Sequence, residues 1–299
     1  MRLSGLSVPF AALLLALFPA AVAAHVSSPS DSSKPPAWVI RDADTEITLF
    51  ATIHALPAGT DWLAPSVAAR LDAADMIVLE ALVPEDLRAF GAVIQRLGVN
   101  PALPPLAQRI APQAAARLPA AAAAAGVSTK ALDTMQPWLA AVTLSEATLA
   151  SIGISAENGV EPMLTARARA AAKPLVQLET PEQQIGFFAS LSQPDQRAML
   201  ETTLADIGDA REDVGRLVML WKQGDVDTIH AQFAREARAS RNLMQILLID
   251  RNRRWTDWIA NAMKRPGRLF IAVGAGHFGG PQGLLALLNA KGLKAQRAD

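Results

Sequence analysis

Hydrophobic and polar positions fall in blocks along this chain, and the blocks read as strands and helices in turn. Residues 47–53 are an almost unbroken run of apolar and β-branched side chains, as in a strand covered on both faces. A helical period follows over 64–73, and then four apolar residues, 76–79, predict a second strand. From 84 to 172 the period is helical, broken by proline and glycine near 101–105, 126 and 137. Residues 174–178 predict a third strand, 181–264 more helices, and 268–273 a fourth strand. A helix over 282–290 and a short strand over 293–295 close the pattern. Strands separated by helices predict an α/β fold, a mainly parallel central sheet flanked by helices, with a large helical insertion at about 84–172.

The N-terminus follows a different pattern. Met1 and Arg2 precede a short apolar stretch that ends in small residues, which predicts a signal peptide over 1–24. The run is short for a membrane span. Residues 25–37, rich in Ser and Pro, read as a flexible tether, and the domain proper as 38–299. The expected location is therefore periplasmic or secreted, with no membrane span remaining after cleavage.

Composition narrows the chemistry. Lys and Arg number 28 and Asp and Glu 28, for zero formal net charge. That balance argues against nucleic acid, whose phosphates call for a basic excess, and against a polybasic membrane surface. There is no cysteine, so disulfides, thiolate nucleophiles and zinc–thiolate sites are excluded. At 51% hydrophobic the chain has ample material for a core.

Ligands in open α/β sheets bind beyond the carboxyl ends of the strands, so the residues that follow each strand carry the functional signal. The first strand runs into His54, the second into Glu80, the third into Glu179, and the fourth into Gly274-Ala275-Gly276-His277. Two imidazoles and one or two carboxylates at one sheet edge suit hydrolysis, either as metal ligands or as acid and base. His54, Glu80 and His277 are the expected centre, with Glu179, Gly274 and Gly276 beside it. In the last long helix Met244, Leu248, Trp255, Ile259 and Met263 define a buried stripe, and Arg251 and Asn252 fall where its next apolar residue belongs. A buried guanidinium requires a carboxylate or a bound anion, and Arg251 is expected to stabilise a developing oxyanion. Gly274–Gly279 also fits a dinucleotide-type Gly spacing, but residues 281–299 leave no room for the nucleotide-binding half that should follow.

Taken together, these segments resemble the TraB/GumN family, which is related to the Tiki proteins and more distantly to erythromycin-esterase and ChaN-like groups. The resemblance rests on the segment around His54, Glu80 after the second strand, Met135-Gln136-Pro137-Trp138, the Leu-Glu-Thr element at Glu179, Asp250-Arg251-Asn252, and the Gly-Ala-Gly-His motif ending at His277. Ala51 stands where the family's first motif has Gly. What the resemblance implies is a divalent-metal-dependent hydrolase of peptides, after its Tiki relatives, which are regarded as Mn- or Co-dependent proteases. His54, Glu80 and His277 would then be the metal ligands, and the substrate an unidentified peptide or small molecule. The related esterase group is thought to work without metal. A ChaN-like protein that binds haem or iron, or a scaffold without catalysis, is the alternative that the same resemblance implies.

Overall fold

The computed structural model describes residues 34–298, apart from 85, 238 and 239. The expected signal peptide and all but the last four residues of the expected tether lie outside the described residues. A mixed six-stranded sheet has the order β6-β4-β7-β2-β1-β8. Strands β6 (Leu175–Gln177), β4 (Met76–Leu79), β7 (Gly267–Gly274) and β2 (Thr45–Thr52) are mutually parallel, so their carboxyl ends share one edge. These are the four strands that the apolar runs 47–53, 76–79, 174–178 and 268–273 predict. The fold is α/β, and its central strands are mostly parallel.

The other two strands extend the far side. β1 (Ala37–Arg41) pairs antiparallel with β2 through a tight turn, in which Asp42 Oδ1 accepts hydrogen bonds from the N–H groups of Asp44 and Thr45. β8 (Gln296–Ala298) pairs with β1, three residues beyond the 293–295 strand that the sequence predicts. A two-residue pair, β3 (Leu56–Pro57) with β5 (Ile154–Ser155), ties the segment after β2 to the helical region.

Apolar packing divides into two cores. One surrounds the sheet and takes Val67 and Leu71 of α1 (Pro65–Ala73), and Val160, Leu164 and Ala168 of α6 (Val160–Ala170). It also takes Trp221 of α9 (Ala210–Gln223), Trp255 and Ile259 of α12 (Asp250–Ala262), and Leu284 and Leu288 of α13 (Leu284–Ala290). The second joins α2 (Leu87–Gly98), α3 (Pro112–Ala124), α4 (Thr129–Asp133) and α5 (Pro137–Ser151) to α7 (Pro181–Ala189) and α8 (Gln193–Asp206). Phe233 of α10 (Val226–Glu236) and Leu243 of α11 (Arg241–Met244) complete it. The helical layer thus draws on both helical stretches of the chain, while α6 covers the sheet between β4 and β6. No helix among the described residues is long and apolar enough to cross a membrane.

A π-helical turn at Gln245–Ile249 precedes α12. Such a turn shifts the helical face by a fraction of a turn. Both Arg251 and Asn252 are buried after it, and the Leu247 carbonyl in this turn accepts from Arg251 Nη1 at 3.1 Å.

Candidate functional site at the carboxyl edge of the sheet

The register Thr52↔Gly274 places the ends of β2 and β7 side by side, and Leu79↔Ala272 brings the end of β4 against β7. His54, Glu80 and His277 follow those three ends, and all three are buried. His54 Nε2 and His277 Nε2 each lie 3.9 Å from Glu80 Oε1. The Gly274 N–H donates to that same oxygen at 2.6 Å. A Cβ on Gly274 would stand 3.1 Å from Glu80 Oε1 and 3.3 Å from His54 Nε2, so the absent side chain keeps the centre open.

Arg251 ties the carboxylates together. Its Nη2 donates to Glu80 Oε2 at 2.7 Å and its Nε to Glu179 Oε2 at 2.8 Å. Nη2 is also 2.8 Å from Glu179, and Nη1 reaches Leu247 O and, at 3.2 Å, His277 Nε2. Each of the three guanidinium nitrogens thus has at least one partner within the site. In this arrangement Arg251 organises the carboxylates of the site. Its plane also packs 4.6 Å from the Trp255 ring, and Arg254 holds the other oxygen of Glu179 at 3.1 Å.

Asn252 settles the tautomer of His277. Its Nδ2 donates to the carbonyls of His277 and Gln282, so Oδ1 is the acceptor facing His277 Nδ1 at 2.6 Å. Nδ1 therefore carries the hydrogen and Nε2 presents its lone pair to the centre. Gly276, the other expected glycine, is buried, and its carbonyl accepts from His230 Nδ1 at 3.3 Å.

Three contributors were not singled out in the sequence. Glu161 of α6 sets Oε1 2.7 Å from His54 Nδ1, and Thr52 Oγ1 donates to that oxygen at 2.5 Å. Gln184 Nε2 donates to Glu80 Oε2 at 3.4 Å. The signal for Glu161 is Gly159 before it: a Cβ there would meet the His54 carbonyl oxygen at 2.1 Å, so only glycine lets α6 start against His54. Ala51, by contrast, lies in the apolar core and its carbonyl accepts from Trp221 Nε1 at 2.8 Å.

The charges are unevenly held. Burial opposes protonation of His54, yet Glu161 and then Glu80 raise its pKa to about 9. Burial would likewise keep Glu80 neutral, but Arg251 above all, with His277, His54 and the Gly274 N–H, lowers it to about 2. Burial and the nearby Arg251 push His277 down to about 3. Near neutral pH the centre therefore holds a cationic His54, an ionised Glu80 and a neutral His277.

Residues 36–297 match the profile of the TraB/PrgY/gumN family. The chain belongs to that family. It is 28% identical over 247 residues to an uncharacterised protein, YbaP, of Escherichia coli strain K12, covering 80% of this chain and 87% of the relative. The YbaP of Shigella flexneri is 28% identical over 224 residues, covering 73% of this chain and 78% of the relative. No solved structure matches.

Proposed function

We propose that this protein is an exported hydrolase of peptides that works with a divalent cation of the Mn or Co type. The observation that carries this reading is the convergence of His54, Glu80 and His277 around the space left by Gly274. Two imidazole nitrogens and one carboxylate are a donor set that hydrolytic metals use. The lone pair that Asn252 directs inward from His277 fits such a role, as does the ionised state of Glu80. Among the described residues, no group of three or more His, Asp or Glu side chains is arranged so that it could hold a metal ion as the side chains stand.

His54, Glu80 and His277 would hold the cation, His54 first giving up its Nε2 proton, and the cation when bound would supply a Lewis acid and an acidified water at neutral pH. The side chains around it have separable tasks. Asn252 orients His277, Glu161 and Thr52 orient His54, and Arg251 keeps Glu80 ionised. Hydrolysis adds the water oxygen to the carbonyl carbon, breaks the C–N bond, and passes a proton to the departing amine.

A second reading is favoured by one contact. Arg251 Nη1 lies 3.2 Å from the His277 Nε2 lone pair that a cation would need. Without a cation, His54 as imidazolium would give the proton to the leaving group. Elemental analysis of protein beginning at residue 25, followed by cleavage of a peptide library with EDTA or with added Mn²⁺ or Co²⁺, separates the readings. Bound metal and activity lost to EDTA support the first, and EDTA-resistant cleavage the second. No cleavage under any condition overturns both and favours a ligand-binding protein.

A further inference from the structure

A cavity of about 390 Å³ opens beside His54, between α6 and the stretch that leaves β4. Along α6 it is lined by Glu161, Thr165 and Arg169, whose spacing of four residues places them on one helical face. Eight residues at 1.5 Å each carry that face about 12 Å from Glu161 to Arg169.

The chemistry changes along this length. At the inner end, Glu161 Oε2 is buried without a hydrogen-bond partner among the described residues, an acceptor open to an N–H donor. The middle is small and apolar, with Ala166 on the helix and Ala81 and Val83 opposite. Val83 keeps 54% of its surface exposed and so is open to a ligand's apolar side chain. At the outer end Arg169 is exposed and forms no ion pair among the described residues, whereas its neighbour Arg167 is held by Asp72.

We propose that this cavity binds the part of a peptide substrate on the carboxyl side of the cleaved bond. A backbone N–H meets Glu161, small apolar residues lie along α6, and a carboxylate meets Arg169. The proposal rests on the hydrolase reading above. About 12 Å corresponds to three or four extended residues, at roughly 3.3–3.6 Å each. The direction follows from charge, because a free amino terminus would be repelled by Arg169 and a carboxylate attracted. That carboxylate is either the chain terminus or an acidic side chain at the same distance.

The test uses acetylated alanine hexapeptides in three forms: the free acid, the amide, and the amide with Glu as its last residue. Binding is measured by calorimetry and cleavage by mass spectrometry. The free acid is expected to outperform the amide about fivefold, as for an exposed ion pair, with the cut three or four residues from its carboxyl end. Arg169→Gln should remove the difference and Arg169→Glu reverse it, while Ala166→Trp should weaken all three peptides alike. Recovery by the Glu amide identifies a side-chain carboxylate; failure to recover identifies the chain terminus. Acid-selective binding without cleavage overturns the hydrolase reading and leaves the cavity's assignment standing. Equal handling of acid and amide, a preference that survives Arg169→Gln, or no binding at all overturns the assignment.

Discussion

Replacing Arg251 by Met would leave Glu80 and Glu179 buried without the cation they share, although Arg254 would still reach Glu179 from the surface. An apolar stripe that meets an arginine is visible in the sequence, as are the strand-end carboxylates Glu80 and Glu179, but that these two are its partners is not. Breaking a buried pair from one side costs about 3–5 kcal/mol. Urea denaturation of Arg251→Met should show a loss of that size, and an unchanged midpoint would mean that the carboxylates are neutral in the native state. Glu161 shows what the sequence hides: one Glu among several at helix starts becomes distinctive only when Gly159 seats α6 against His54. Its charge raises the His54 pKa, so Glu161→Gln should lower that value from about 9 towards 6.5. Titration of the His54 ring protons by NMR in metal-free protein checks this. A value still near 9 would assign the shift to Glu80 alone.

At the scale of elements, the central parallel strands β2, β4 and β7 are legible because burial on both faces leaves an apolar run that no surface segment mimics, while the half-buried edge strand β6 shows only a short one. β8 begins three residues later than the sequence predicts because Gln296 and Arg297 are exposed residues of an edge strand, chosen by pairing with β1 and not by any apolar pattern. Helix α5 carries a different kind of local conflict. It is apolar on nearly every side, yet it includes Glu146, which has no hydrogen bond or ion pair among the described residues. Burial raises that carboxyl to about 8. A pKa raised on folding gives stability that is full below about 4.5 and lost as the pH rises through 8. Glu146→Gln should therefore leave the melting temperature unchanged at pH 4 and raise it by a few degrees at pH 9. Equal shifts at the two pH values would show that packing, not ionisation, sets the effect.

Across the whole molecule, the sheet turns distance along the chain into proximity. His54 and His277 come from its two ends, yet they follow β2 and β7, neighbouring parallel strands whose last paired residues are Thr52 and Gly274. The strand-end rule made both legible in advance, since it needs only the order of strands and the residue after each. It could not show Arg251 on His277, nor Glu161 on His54, because these contacts come from helices whose docking depends on the assembled cores. If the two imidazoles serve one centre, losing either should disable it. His54→Ala and His277→Ala should each remove at least about a hundredfold of any catalysis, and the double variant little more than either alone, as for residues that act as a unit. The comparison needs folded proteins, which matched circular dichroism spectra would establish. Strictly additive and modest losses would instead mean that the imidazoles stand near each other for packing alone, and the hydrolase reading would fall with them.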